Sequence, residues 1–420
     1  MDEVKALRLA AAVFRPNRAP LVLVCLAGVW LRVADLNDVA VRSPDETTYT
    51  SQARVWLRSG TAGMRTLVSD YDHRPELRDF PPPTRAGVIR LAAWMFRLTG
   101  KDDPGAGALA ACAASILSLA IVALMAVRFL PPWAALCALV FYAASPVELV
   151  IARRLWPDVL CELPAVVALW SACAIAAGSR RRVWFLLLAA AGAAGLTVRE
   201  TFPIPYGFTL LWPLWELAVK RRDRRSAALL LGLCLAALAG SVVWLGGAVG
   251  SLADYIRLSR HGPTVAAAND YVRQFTSGPP WLLLEGFWIV SPMATVCAAG
   301  GFLAAFAARR EKPHGRLVAG IAAVTAGAMA VMMSDPHYLS LRFYSVVMGP
   351  LALLAGYGLW YAGRLAGKWL LPEDRTWMTV AAAVILLAVT TADYFRFERI
   401  FVRDSLGDTA VRSIQFEQNP

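Results

Sequence analysis

Asp45 and Glu46 stand side by side just after the first membrane-length apolar run of the chain, Leu21 to about Val41. Charged groups at the edge of hydrocarbon lose hydration, so such a pair is costly unless something uses it. Held by fixed neighbours, either carboxylate is a candidate catalytic group, able to take a proton from an attacking hydroxyl. The competing use is structural. Ser43-Pro44-Asp45-Glu46 reads as a helix start, with Ser43 at the N-cap, Pro44 at the first helical position and Glu46 bonding back to the Ser43 amide. The two uses are compatible: a cap occupies Glu46 and leaves Asp45 for chemistry.

Four other stretches carry groups of chemical interest. Arg153-Arg154-Leu155-Trp156-Pro157-Asp158 joins two apolar runs. Arginine forks bind phosphate oxygens at two points, and Asp158 is a second catalytic candidate at a helix start. The alternatives are arginines snorkelling to the interface and a capping aspartate. Arg199-Glu200 fills a very tight turn; Arg199 is a phosphate-binding candidate, or the two form an internal ion pair that stitches helix ends. Segment 250–281, with Tyr255, Arg257, Arg260, His261, Asn269, Tyr271 and Arg273, mixes rings and cations as a sugar or phosphate loop does, or is an ordinary solvated loop. His337, Arg342 and Tyr344 precede a late apolar run, where they bind a lipid phosphate or anchor the interface. The seven cysteines all fall in apolar runs without a C-x-x-C pair and read as packing residues. Neither a metal-ligand cluster, a Gly-rich phosphate loop nor a Ser/His/Asp pattern is visible, so no cofactor is expected; a divalent metal stays open.

The elements that must position these groups are membrane helices. Of 420 residues, 58% are hydrophobic and only 17% charged, with a mean hydropathy of +0.51. Apolar stretches of about 20 residues, each long enough to cross the bilayer, recur about eleven times. They centre on 21–40, 105–128, 132–150, 158–178, 183–199, 201–219, 227–250, 282–307, 317–334, 344–362 and 376–393. The expected fold class is therefore an all-α polytopic membrane protein; a β-barrel is excluded because its alternating segments are absent. The net charge of +12 is accounted for by short cytoplasmic loops and phosphate-facing loops rather than by nucleic acid. Arg180-Arg181-Arg182, Lys220-Arg221-Arg222, Arg309-Arg310 and Arg364 mark one side as cytoplasmic. The candidate groups then share the other side, in loops 41–104, 150–157, 199–202, 250–281 and 334–343 and a tail, 394–420, beyond a membrane domain over 1–393. Within loop 41–104, one amphipathic helix follows Pro44 and ends at Gly60 and Gly63, and a second runs over about 85–99.

These segments, in this order, resemble the polyprenyl-phosphate-sugar-dependent glycosyltransferases of the GT-C superfold, nearest the branch of protein O-mannosyltransferases and lipid A aminoarabinose transferases. The markers are Asp45-Glu46 with Tyr49, the prolines Pro81–Pro83 before the second interfacial helix, the Arg-x-x-x-Pro-Asp stretch to Asp158, Gly195-Leu196-Thr197, and Arg342, Tyr344 and Pro350. The resemblance covers roughly 20–362. It implies an inverting transferase of the inner membrane that moves a sugar from a polyprenyl-phosphate donor to a hydroxyl of a lipid, glycan or protein acceptor at the outer face. Asp45 would be the base, with Glu46 and Asp158 as further acids. Arg153, Arg154, Arg342, His337 and Arg199 would hold the donor phosphate, and Tyr49, Arg74, Arg78, Arg260, His261 and Tyr344 the substrates. Phe80 stands where relatives often carry a lysine before the prolines, and Arg199-Glu200 where many have Lys-Gly. The rival class, a transporter or flippase of a lipid-linked sugar, needs ionisable residues and broken helices at mid-bilayer, and the span centres read as nearly free of charge. A non-catalytic membrane scaffold is a third reading.

Overall fold

The computed structural model describes residues 19–34, 36, 39, 42–74, 76–77, 80–309, 314–367, 374–403, 411–412 and 414–415, without the side chains of 261–268, 374–383, 385 and 387. Arg78 thus lies outside the described residues, and His261 is placed in its helix by backbone alone. Helix is the only regular structure among the described residues. Proline and cap residues set much of the punctuation. Seven helices begin on a proline: α2 (Pro44–His73), α4 (Pro104–Phe129), α5 (Pro132–Ala143), α6 (Pro146–Ala152), α7 (Pro157–Ala176), α9 (Pro203–Trp215) and α13 (Pro292–Ala307). Proline is pre-set for that position, where no amide hydrogen is needed. The other helices are α1 (Ala19–Val33), α3 (Ala86–Thr99), α8 (Arg182–Val198), α10 (Arg224–Val249), α11 (Leu252–Ala268), α12 (Trp281–Val290), α14 (His314–Met333), α15 (Ser345–Ala366) and α16 (Asp374–Phe397).

Each of the eleven expected runs contains helix, though in run 21–40 the described helix ends at Val33. By length and hydropathy five described helices qualify alone as spans: α4, α7, α10, α14, and α15 with the turn before it; the bent pair α5–α6 makes a sixth. The number eleven therefore counts apolar helical segments, not demonstrated crossings. Two expected spans are broken. Run 132–150 bends by 50° between α5 and α6, where Pro146 lacks an amide and the Ser145 hydroxyl caps Glu148. Run 282–307 divides at Ser291-Pro292. In the first loop the amphipathic helix does not stop at Gly60 and Gly63. It continues to His73 through a kink at Gly60, whose φ of 55° suits glycine. The expected loop 250–281 is largely helical, as α11 and a following π turn. Part of the tail also packs: Arg412 donates to the Ser277 carbonyl and Gln415 to that of Leu282 (2.8 Å).

α15 runs through the centre, against α5, α7 and α13. Small residues permit this: a Cβ on Gly301 would lie 2.1 Å from the Leu354 carbonyl oxygen. The interior nevertheless holds charge, toward helix ends rather than at span centres. Arg32 of α1 is fully buried and donates to Ser115 Oγ (2.7 Å) and to the carbonyls of Gly28 (3.0 Å) and Ala143 (3.1 Å). Its guanidinium lies 5.5 Å from the Tyr142 ring centroid. Tyr142 in turn donates to Glu162, and Glu148 is buried beside them. The cluster joins α1 and α7 to the break between α5 and α6. Removing one member of a buried charge cluster costs about 3–5 kcal/mol, because the rest stay desolvated. Arg32→Met is therefore expected to lower the thermal unfolding midpoint of the purified protein clearly, whereas Arg74→Gln, which removes an exposed pair with Glu76, leaves it within a degree or so.

Candidate active site

Local sequence builds the site at one end of the bundle. Ser43 caps α2: its hydroxyl accepts from the Glu46 amide (3.3 Å) and its own amide donates to Glu46 Oε2 (2.9 Å). Glu46 has no exposed surface. Beyond the cap bond it accepts from Arg42 (2.9 Å), Arg154 Nη1 (3.0 Å) and the Leu155 amide (3.2 Å). Two donors thus meet each oxygen, and the carboxylate is saturated. This bolts the start of α2 onto the α6–α7 joint. Trp156 completes the bolt, since its Nε1 donates to Ser43 Oγ (2.8 Å). Arg154 and Arg342 both lie against its ring, at 4.9 and 4.6 Å from the centroid.

With Glu46 fixed, the preceding residue is aimed. Asp45 Oδ2 meets Arg342 Nη2 at 3.1 Å, from the single 3-10 turn Leu341–Tyr344 that leads into α15. The two are 297 positions apart in the chain (342 less 45). Unlike the carboxylate beside it, Asp45 is 28% exposed, and Arg342 14%. One helical turn on, Tyr49 accepts a hydrogen bond from Arg85, and burial pushes its phenol pKa well up, so it stays neutral. Arg85 also pairs with Glu200 (3.2 Å), which accepts from Thr84 Oγ1 as well (2.6 Å).

The remaining expected site residues divide by location. Asp158 is buried in an ion pair with Arg199, whose guanidinium also faces the rings of Tyr338 (5.1 Å) and Phe343 (4.4 Å). Arg199 and Glu200 do not pair with one another; each reaches a different helix. Arg153 turns from Asp45 toward the Leu31 carbonyl (3.0 Å) and the Phe397 ring (4.8 Å). His337 sits against Ser277 Oγ (2.8 Å). Tyr344 is buried edge-on to Phe287. Arg74 pairs with Glu76 at the far end of α2, and Arg260 is exposed on α11. Among the described residues no three His, Cys, Asp or Glu side chains gather as a metal site. Sequence reasoning missed Arg85, Thr84 and the role of Trp156. Their signals were faint: an arginine directly before the second interfacial helix, and a tryptophan between two cations and a proline.

Comparison with known proteins agrees with this architecture. Residues 83–245 match the sequence profile of the family described as dolichyl-phosphate-mannose-protein mannosyltransferase. No curated protein matches the chain. Among solved structures, ArnT from Cupriavidus metallidurans in the apo state is similar with a TM-score of 0.56 at 15% identity, over 93% of this chain and 73% of that one. The same enzyme bound to undecaprenyl phosphate gives 0.56 at 16%, over 94% and 74%. The Archaeoglobus fulgidus oligosaccharyltransferase in the apo form gives 0.55 at 13%, over 94% of this chain and 56% of that one.

Two measurements check the geometry. Glu46→Ala strands Arg154 and the Leu155 amide, and is expected to cost about 3 kcal/mol or more in unfolding experiments, while Asp45→Asn unfolds like the parent. Burial pushes the Glu200 carboxyl up, but Arg85 and Thr84 outweigh it and hold its pKa below the usual value. The stabilisation is then present above the unfolded pKa of about 4.3 and lost as pH falls through the lower folded value. Glu200→Gln should flatten stability against pH in that acid range and not above pH 6. Residues 83–245 thus carry the profile of a mannosyltransferase family, and the chain as a whole has the fold of the ArnT and archaeal oligosaccharyltransferase structures.

Proposed function

We propose that the protein is an inverting transferase that moves a sugar from a polyprenyl-phosphate donor to an acceptor hydroxyl, with Asp45 as base and Arg342 as the cation facing the donor phosphate. The observation that carries this is the partly open Asp45–Arg342 pair beside a sealed Glu46. Of the acids at this end, Glu46 and Asp158 are buried and bound, so they act as positioning groups. Arg154 likewise holds Glu46.

In the resting protein Asp45 occupies the place on Arg342 that a phosphate oxygen would take. A donor phosphate on Arg342 displaces the carboxylate and frees it for the acceptor. Asp45 then takes the hydroxyl proton as the acceptor oxygen attacks the anomeric carbon. The bond from that carbon to the phosphate oxygen breaks, and its electron pair leaves with the polyprenyl phosphate. Arg342 stabilises the charge that develops on the departing phosphate, a contribution of several kcal/mol in preorganised sites. A phosphate so held needs no acid, unlike the leaving group of a glycoside hydrolase. One displacement inverts the centre.

Support for a lipid-linked donor comes from the similar structures. A similar structure holds undecaprenyl phosphate, and another, the archaeal oligosaccharyltransferase, holds an inhibitory peptide and a dolichol-phosphate. The positive-inside pattern supports an outer-face position for this end. A protein, glycan or lipid acceptor fits the same chemistry.

The transport reading has one observation on its side, the broken α5–α6 helix beside Arg32, Glu148 and Glu162. The two readings separate on one assay with purified protein in vesicles and a polyprenyl-phosphate sugar. Asp45→Asn should cut transfer by about 100-fold or more at little cost in donor binding. Arg342→Gln should weaken donor binding and turnover together, with Arg342→Lys intermediate because it loses the two-point fork. Asp45→Asn that transfers at parental rates removes Asp45 from the chemistry.

A further inference from the structure

A second group of arginines, away from Asp45, is built differently. Arg90 and Arg97 lie on α3, two turns apart, and both face the ring of Trp56 on α2, at 5.5 and 5.7 Å. Arg90 also lies 4.5 Å from the ring centroid of Trp244 on α10. Among the described residues neither arginine pairs with a carboxylate. The described acids nearest in sequence are already engaged: Asp102 by Arg54 (3.0 Å), Asp103 by the Ala106 amide (2.8 Å) and Glu76 by Arg74 (2.9 Å). A ring takes only the flat face of a guanidinium, so the in-plane N–H donors stay available.

Two of the donors here are shut off from solvent and unmet. Arg90 Nε and Trp56 Nε1 are both buried without a hydrogen-bond partner. Burial pushes the Arg90 pKa down, with no opposing charge to raise it. Unsatisfied buried donors are costly. Everything presented is a donor or a cation, so the complement is an anion with several acceptor oxygens. The surroundings specify its carrier. Trp244 is 39% exposed, and Trp94 and Leu98, on the same helix as the arginines, are 55% and 60% exposed. Tryptophans and leucines left open beside cations belong at a membrane interface, where acyl chains meet headgroups. Trp56 lies eleven residues past Asp45 on α2, about 16 Å along a helix, so this is a separate place from the catalytic pair.

We propose that Arg90, Arg97, Trp56 and Trp244 form a binding site for the phosphate headgroup of an anionic membrane lipid. Such a lipid would satisfy the two unmet donors, lay its chains over Trp94 and Leu98, and fasten α2 and α3 to α10. It would thereby steady the helix that carries Asp45. The catalytic arginine rests on an acid that substrate must displace; this pair has no acid to displace and suits a resident ligand.

The test uses the full-length protein in neutral detergent, titrated separately with phosphatidylglycerol, phosphatidylcholine and inorganic phosphate. Retained lipid is counted by native mass spectrometry, and thermal unfolding is followed in parallel. Phosphatidylglycerol is expected to bind and stabilise the parent at concentrations about tenfold or more below phosphatidylcholine. Arg90→Gln/Arg97→Gln should abolish that preference, and Arg54→Gln, whose arginine already has Asp102, should keep it. Arg97 is exposed, so Arg97→Gln alone tests the point on a background that folds, with a partial loss expected. An unchanged preference in both variants overturns the proposal. Equal binding of the two lipids by the parent overturns it in favour of a plain interfacial anchor. Inorganic phosphate binding as tightly as the lipid overturns it in favour of a soluble anion.

Discussion

Everything at the working end of this protein depends on one buried carboxylate, that of Glu46. Taking an ion out of water costs several kcal/mol even after relaxation. The cost is offset here because each oxygen receives two donors, drawn from the cap, from Arg42, from Arg154 and from a backbone amide. Those donors come from both sides of a junction, so the carboxylate is satisfied only when α2 sits on the α6–α7 joint. A helix start is otherwise a soft place, with its first amides unpaired. Glu46 turns it into a fixed point, and Asp45 inherits its direction from that.

Trp156 carries the same constraint to the far end of the chain. Its indole N–H holds the cap serine, while its ring receives Arg154 on behalf of Glu46 and Arg342 on behalf of Asp45. The acid and the cation that face one another are therefore referenced to a single side chain. Their pairing at 3.1 Å balances a partly exposed carboxylate against a largely buried cation. In the proposed mechanism the same pairing makes anion binding and base release one event.

Much of this was legible in the sequence, and the parts that were not share a reason. Helical runs were readable because composition and hydrophobic length are local properties, and prolines marked seven of the starts. The capping box at Ser43 and Glu46 was readable for the same reason. Three breaks were not. The helix through Gly60 continues because its apolar face resumes after one residue that glycine alone adopts easily; a pair of glycines looks like an ending from sequence. The breaks at Pro146 and Pro292 fall inside apolar runs, where hydropathy is blind to a missing amide hydrogen. Partner choice was the least readable. Arg199 and Glu200 look like an ion pair because they are adjacent, yet neighbours on an extended turn point apart, and each found a partner on another helix, Asp158 and Arg85. The buried Arg32 cluster was invisible because its members are scattered over three apolar runs and look like interfacial charges one at a time.

The distribution of arginines sorts into functions by what opposes them. At the end of α1 Arg32 faces carbonyls and a hydroxyl and is sealed. At the α2 junction Arg154 and Arg199 face buried acids and are structural. Arg342 faces an acid that is partly open, and that opening makes exchange with an external anion possible. Arg90 and Arg97 face rings alone. Attraction to a ring is about 0.5–1 kcal/mol at exposed sites and about 2 or more when desolvated, well short of what a guanidinium loses on leaving water at depth. A cation that, among the described residues, is balanced only by rings is under-compensated, and the proposed lipid phosphate would supply the missing acceptors. In the proposed scheme the same residue type thus serves as a bolt, a substrate contact or a lipid contact according to whether its counter-charge is buried, displaceable or supplied from outside the chain.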